Sequence, residues 1–584
     1  MSESAAWERG GGRHRGPASG FRIHLLAVLV YAAVALGAGL GLRDPWPPDE
    51  PRFALIAREM VETGQWLFPH VAGHLYADKP PVFFWVVAAL YALTGSLRLA
   101  IFAPALLAGL AAVWLVGDLA RRLWSPTAGV HAAAALALAV QFAVEGRSGQ
   151  IDGLLFGFTT LSLYGLLRHL LLGPAWGWWV LGWVAAGLGV ITKGVGFLPL
   201  LVVPLASVVG RRGTVGSWRR AWLGPAVMLA VIAAWLVPMA VAATASGDPA
   251  LAAYRDEILL RQTVTRYVDS WGHLKPPWYF VVNVIPVFWL PLTLLLPWLV
   301  PRFRDAWQAR EPRVLLPLAW TVVVVLFFSA SPGKRGVYVL PALPGLVLAS
   351  APWLADLRQR RAVQRLGRVA LAVVAGVLVA VAAWTAWRPV DEVVRAQEAL
   401  GWPAWLVLMS AAGLFALAAL LGRGRRVYAS WAGAFLVLWV GLGLAVFPRL
   451  DGERSGANLM AKVRETLPPG GEVGLVGWKE QFVLQAGIPV ATFGYRRRDR
   501  EQELADGLQW AAVSPRRRVL VAEDYPGLVL QQESGAKFLG VYHRQRWWLV
   551  SAEDVAAAPA ASQWMAAPSP PSRRRESGLE PRGE

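Results

Sequence analysis

The sequence predicts an α-helical polytopic membrane protein of about thirteen transmembrane helices, followed by a small C-terminal α/β domain. Three observations carry that reading. The chain of 584 residues is 56% hydrophobic and only 16% charged, where soluble domains carry about 25% charged residues. Its mean hydropathy is +0.43, so the surplus apolar surface requires lipid as solvent. Apolar runs long enough to cross the hydrocarbon core, which takes roughly 20 residues, recur along the chain with arginine clusters between them.

The first 20 residues have no apolar core of the signal-peptide kind, and 1–22 is expected as a cytoplasmic N-terminal segment with Arg13, Arg15 and Arg22. Phe21 to Leu42 is long enough to stay as an uncleaved anchor. Expected spans lie near 23–42, 97–119, 127–145, 153–172, 177–192, 195–209, 221–243, 280–300, 314–330, 337–355, 368–387, 403–421 and 428–447. With a cytoplasmic N-terminus, simple alternation puts Arg121-Arg122, Arg211-Arg212, Arg302 to Arg313, Arg358 to Arg368 and Arg423 to Arg426 all on the cytoplasmic side. The net charge of +19 therefore belongs to membrane topology and not to nucleic acid, whose binders gather charge on one face.

The run Val82 to Leu93 is too short to span, and counting it would reverse the side of Arg121. It is read as an interfacial or re-entrant helix inside a first periplasmic loop, 43–96. The transmembrane domain thus covers 23–447. After it, Glu472 to Gly477, Val519 to Glu523 and Trp547 to Val550 look like strands, with a helix near Gly456 to Glu465, giving a periplasmic α/β domain over 448–556. The tail 557–584, rich in Ala, Pro, Ser and Arg, has a disordered composition.

Chemistry is expected at the ends of the spans. Asp49 and Glu50 precede Pro51, a good first helical residue, so one carboxylate can cap the helix 51–63 while the other faces a site. Acidic groups at a membrane boundary favour a functional role over capping alone. Lys79 opens the interfacial helix, where a cation reaches a lipid phosphate or simply snorkels. Asp152, at the outer mouth of the fourth span, adds a second carboxylate on the same side. Lys193 falls on that side too, beside a donor phosphate or the headgroup layer. His70 and His74 are four apart, a zinc spacing when helical, but Pro69 and Gly73 argue against a regular helix and no third ligand is evident beyond Asp78. The spacing of Gly471, Gly474 and Gly477 departs from a dinucleotide fingerprint. The chain contains no cysteine, which removes disulfides, thiol nucleophiles and Cys-ligated metals.

Asp49-Glu-Pro-Arg-Phe-Ala-Leu-Ile-Ala-Arg-Glu-Met60, Gly64-Gln-Trp66, Pro69, Tyr76-Ala-Asp-Lys-Pro80 and Asp152, with the later Ser331-Pro-Gly-Lys-Arg-Gly-Val-Tyr-Val-Leu-Pro341, resemble the lipid A aminoarabinose transferases and their protein O-mannosyltransferase relatives. The resemblance implies a GT-C fold, a polyprenyl-phosphate-linked sugar donor and an inverting transfer on the periplasmic face of the bacterial inner membrane. It implies a lipid A or other glycolipid acceptor, or alternatively a protein hydroxyl. It makes Asp49 the principal catalytic carboxylate, with Glu50 and Asp152 beside it, and Arg52, Tyr76, Lys79, Lys334 and Tyr338 as substrate-binding groups. Arg266 and Tyr267 match the donor-binding loop of such enzymes, which the residues alone read equally as a headgroup patch. Asp78 stands where relatives often carry Glu. No cofactor is firmly implied and a divalent metal stays open. A transporter or a non-catalytic envelope protein is the alternative class, but no inverted repeat is visible and the Asp49 motif is intact.

The alternation is directly testable, because every introduced cysteine is unique in this chain. Cysteines placed in 46–80 and 450–550 should react with an impermeant thiol reagent in intact cells, while those in 211–220 should stay unlabelled. Labelling at 211–220 would overturn the placement.

Overall fold

The computed structural model describes residues 18–209, 216–259, 274–388, 390–495, 499–531 and 534–555. Arg13, Arg15, Arg211, Arg212 and the tail 557–584 lie outside the described residues. Among those described, nine helices are long and apolar enough to cross a membrane, or eleven if each of two bent pairs counts as one span. The two other expected crossings are the 18-residue helix Trp176–Lys193 and the shorter apolar segment Val195–Val209. These two meet at Gly194, whose φ of 68° is left-handed, and they approach so closely that a Cβ on Gly196 would sit 2.0 Å from the Gly189 carbonyl carbon.

Two spans expected to be continuous are broken. Pro126–Ala137 and Val140–Gly146 meet at 64°, and Phe280–Phe288 and Leu292–Gln308 at 102°. Pro286 and Pro291 lie at the second break, where a missing N–H and ring clash interrupt the helical ladder. The two breaks satisfy each other, since the Val140 N–H donates to the Leu290 carbonyl at 3.2 Å. A backbone donor exposed at membrane depth would otherwise cost several kcal/mol, on the order of the transfer penalty of an unpaired amide.

The bent segment still traverses the molecule. At one end, the Leu274–Gly333 bridge ties its start to the loop after Ala330. At the other, Arg313 donates to the Leu123 carbonyl at 3.4 Å. Arg358 lies 3.3 Å from His131 and Arg425 bonds Gln359 at 3.1 Å, so the described arginine-rich turns collect with Arg121 and Arg122 at a single end. The first loop, Lys193, Lys334 and the C-terminal domain collect at the opposite end. Helix Val82–Thr94 has 13 residues, about 20 Å at 1.5 Å per residue, and falls short of the roughly 30 Å hydrocarbon core.

The passages differ in what surrounds them. Gly336–Leu357 has 89% of its apolar window buried, whereas Arg219–Ala245, Arg361–Trp387, Ala404–Leu421 and Arg426–Arg454 have 17–22%. The first is the central helix; the others turn valine and leucine outward, as lipid-facing helices do. The final span closes on the first where a Cβ at Gly443 would lie 2.1 Å from the Ala38 carbonyl oxygen.

The C-terminal unit is a five-stranded sheet in the order β4-β3-β5-β7-β6, with β3 Glu472–Leu475, β4 Val490–Thr492, β5 Arg517–Ala522, β6 Lys537–Tyr542 and β7 Gln545–Val550. The first-loop hairpin supplies β1 His70–Val71 and β2 His74–Leu75. Strands β3, β4 and β5 are parallel, and β7 runs antiparallel to β5 and β6. Three expected strands and the helix Ala457–Thr466 are present; β4 and β6 are additional. Gly474 is there for packing, since a Cβ would meet Phe493 and Trp510 at 2.9 Å.

His543, at the β6–β7 turn, is pushed down to about 4, first by burial and then by Lys479 and Arg454. The native state therefore binds that proton less readily than the unfolded chain, where histidine titrates near 6.5. The resulting stability is present above about pH 6.5 and is lost as pH falls toward 4. Thermal unfolding of the wild type should shift downward across that window by more than in His543→Gln. Equal shifts in the two proteins would contradict the assignment.

Candidate active site

The helix Glu50–Thr63 starts with proline in its first turn and ends at Gly64 in the left-handed region. Asp49 occupies the N-cap position but makes no side-chain capping bond, and Glu50 makes none either. The expected division into one cap and one site carboxylate is replaced by another. Asp49 accepts from Arg335 Nη1 at 2.9 Å and from Arg52 Nη1 at 3.4 Å. Glu50, 5% exposed, accepts from Arg43 at 2.6 and 2.9 Å, from the Trp46 N–H at 2.8 Å and from the Gly149 N–H at 2.8 Å.

Expected in the chemistry beside Asp49, Glu50 thus has four donors on its two oxygens and is tied into the scaffold. Arg43 is further held over the rings of Trp46 and Phe102. Asp44 continues the brace, taking two bonds from Arg98 and donating its N–H to Asp451 at the end of the last span. Trp46 Nε1 also donates to Asp451.

Around Asp49 the charges alternate in sign. Burial works against the charge of Arg335, but Asp49, Asp152 and Tyr338 outweigh it and the pKa is raised. Asp152, 6% exposed, pairs with Lys193, and the Lys193 ammonium lies 4.6 Å from the centre of the Tyr338 ring. Glu145 lies within electrostatic range of Asp152, Arg335 and Lys193. Expected site residues Asp49, Arg52, Asp152, Lys193 and Tyr338 are therefore brought into one network that Arg335 joins. A carboxylate beside guanidiniums, with an ammonium and a phenol near, suits a phosphate ester and a developing negative charge.

Tyr76, 2% exposed, packs edge-on to Phe84 and against Tyr495 of the C-terminal domain. Lys79 donates to the Asp78 carbonyl at 3.0 Å, at the entry to helix Val82–Thr94. Lys334, expected to bind substrate, lies in the loop after Ala330. It is 3% exposed, and its ammonium donates to the carbonyls of Ser331 and of Lys275, pinning two loops together. Its neighbour Arg335 reaches Asp49 instead. Arg266 and Tyr267 lie outside the described residues.

His70 and His74 belong to the β1–β2 hairpin, with His70 opposite Leu75 and Val71 opposite His74. The helical zinc spacing is therefore not realised, and burial lowers both imidazole pKa values. Among the described residues no group of three or more His, Cys, Asp or Glu side chains is arranged to hold a metal ion.

Arg335 and Glu480 contact the candidate residues Asp49 and Arg52 and are not singled out by the sequence. Arg335 sits beside a lysine in Lys334-Arg335, and a loop gives no periodicity to say which cation turns inward. Glu480 pairs with Arg52 at 2.6 Å across 428 residues, a distance no local pattern bridges.

The family model for dolichyl-phosphate-mannose-protein mannosyltransferases matches residues 78–237. The undecaprenyl phosphate-α-4-amino-4-deoxy-L-arabinose arabinosyl transferase of Pseudomonas aeruginosa PAO1 is 33% identical over 316 residues, 52% of this chain and 54% of that protein. The corresponding protein of Aeromonas hydrophila is 32% identical over 336 residues, 54% of this chain and 57% of that one. The chain thus spans about half the length of these relatives. The crystal structure of ArnT from Cupriavidus metallidurans bound to undecaprenyl phosphate superposes with a TM-score of 0.72 at 23% identity, covering 93% of this chain and all of that one. The fold is therefore shared across both the helical domain and the C-terminal sheet.

The split between the two neighbouring carboxylates has a measurable consequence. Glu50→Gln leaves Arg43 without its buried counter-charge and should destabilise the protein by about 3–5 kcal/mol, read as lost folded yield and a lowered Tm in detergent. Asp49→Asn should leave Tm nearly unchanged. The reverse order of stability would refute this assignment.

Proposed function

We propose that this chain is a glycosyltransferase of the GT-C class that uses polyprenyl-phosphate-linked sugars, and that it transfers a sugar from an undecaprenyl-phosphate-type donor to a glycolipid of the cell envelope, with lipid A as the acceptor. The observation that carries the reading is the Asp49 carboxylate lying between Arg335 and Arg52, beside the Asp152–Lys193 pair. The activity for which the Pseudomonas and Aeromonas relatives are named and the lipid phosphate bound to a protein of the same fold support the donor class. The site opens on the periplasmic face, supported by the collection of the described arginine-rich turns at the opposite end.

In this reading the donor phosphate competes with Asp49 for the guanidiniums of Arg335 and Arg52, with Lys79 adding positive charge. The acceptor oxygen attacks the anomeric carbon as the carbon–oxygen bond to phosphate breaks, which inverts the configuration. Polyprenyl phosphate leaves with the bonding pair, and the cations stabilise its growing charge. Asp49, released from its arginines, accepts the proton of an acceptor hydroxyl; an already ionised acceptor phosphate needs only to be oriented. Asp152 holds Lys193 and, with Tyr338, borders the same space. Glu50 and Lys334 are given to the scaffold.

Asp49→Asn keeps the shape of the side chain and removes its charge. Transfer from a labelled undecaprenyl-phosphate sugar to membrane glycolipid should fall by roughly a hundredfold or more, the usual scale for a lost acid–base group. Full activity in a correctly folded Asp49→Asn protein would sink the catalytic assignment. Label appearing in protein instead of glycolipid would move the acceptor to a protein hydroxyl.

A further inference from the structure

The C-terminal domain packs directly on the first loop. Leu484 is buried in the same cluster as Phe53, Tyr76, Phe83 and Phe84. Trp478 meets His74 and Tyr495 edge-on, and Arg58 donates to the Leu484 carbonyl at 3.4 Å. Glu480 stands just beyond the carboxyl end of β3, which lies between the parallel strands β4 and β5. This edge of a parallel sheet, where the connections diverge to either side, is where α/β domains present ligand-facing residues. Here that edge is turned toward Arg52.

The Arg52 guanidinium spans two carboxylates of unequal grip. Its Nε donates to Glu480 Oε1 at 2.6 Å, while its Nη1 stands 3.4 Å from Asp49 Oδ1. Both members of the tighter pair are mostly enclosed, with 15% and 10% of their side chains exposed. A buried ion pair is a poor way to hold two domains together, because desolvation consumes most of its attraction. Apolar packing through Leu484, Trp478 and Tyr495 already does that work. What Glu480 adds is direction: a planar guanidinium fixed through Nε has its remaining edge aimed.

We propose that the C-terminal domain is a component of the active site and that Glu480 is a positioning residue, holding Arg52 beside Asp49 without letting it close on that carboxylate. The inference rests on the transferase reading of the site. Without the Glu480 charge, Arg52 turns fully to Asp49. The cation is then less available to a lipid phosphate, and the carboxylate less available to the acceptor.

The test uses the full-length protein in detergent or nanodiscs, with undecaprenyl phosphate as the binding probe and its sugar conjugate as the donor. In Glu480→Gln the affinity for undecaprenyl phosphate should weaken by roughly tenfold, the scale of one misdirected charge-assisted contact. The donor KM should rise in parallel. Resistance of the domain to limited proteolysis should be unchanged, which separates positioning from docking. In an Arg52→Gln background the same substitution should add nothing further, because both changes act through one group. Wild-type binding in Glu480→Gln, or a loss that tracks proteolytic release of the domain, would overturn the proposal.

If the wild type itself fails to bind undecaprenyl phosphate, the transferase reading fails separately. The positioning claim is then judged by cross-linking Arg52→Cys to Glu480→Cys with a short bis-maleimide in this cysteine-free chain. Formation of the link supports the placement and its absence refutes it.

Discussion

The buried carboxylate of Glu50 is the joint on which the site depends. One oxygen pair gathers Arg43 and Trp46 from the first loop and the Gly149 N–H from the turn before the helix Ile151–Leu172. Asp49 is its neighbour in sequence, and Asp152 lies three residues beyond Gly149. The bond from Glu50 to Gly149 therefore sets the spacing between the two candidate carboxylates. Only glycine fits at 149, where a Cβ would lie 2.7 Å from Ile101 and 3.4 Å from Glu50 itself.

A buried charge is tolerated when it is paired and its remaining hydrogen-bonding capacity is filled. That rule runs outward from Glu50. Arg43 answers Glu50, Arg98 answers Asp44, and Asp451 receives both the Asp44 N–H and the Trp46 indole. The last span is thereby fastened to the loop after the first. Asp49 is held instead by two side-chain cations, Arg335 and Arg52, which a competing anion can draw away from it. Scaffold and candidate catalytic group are consecutive residues of the same type, distinguished by what each carboxylate touches.

The surrounding helices show a matching division of labour. The most enclosed passage, Gly336–Leu357, leads out of the loop bearing Lys334 and Arg335 and carries Tyr338 itself, so these groups stand on a helix packed by neighbours on nearly every side. The lipid-facing passages supply no described member of the network around Asp49. Where helices must break to shape the interior, the breaks are mutually satisfied, as Val140 and Leu290 show. A hydrocarbon environment supplies no water to cover such a gap.

By itself the sequence determined what depends on composition and on order along the chain. Long apolar runs gave the passages and arginine clusters gave their alternation, because hydrocarbon excludes charge and a span has a minimum length. The short run Val82 to Leu93 was legible for the same reason, and so was the motif from Asp49 to Met60. Strands β4 and β6 were not. The first has three residues, and the β6–β7 turn uses His543 and Arg544 at φ of 51° and 67°, with no glycine or asparagine to announce it. The tertiary structure alone decided what each of two adjacent ionisable residues touches: Asp49 meets Arg335 and Arg52 while Glu50 is tied to Arg43, and Arg335 reaches Asp49 while Lys334 bonds loop carbonyls. It alone brought Glu480 to Arg52. Such choices follow from contacts between segments hundreds of residues apart, where the Coulomb and desolvation terms of a buried charge are set by partners that local pattern does not contain.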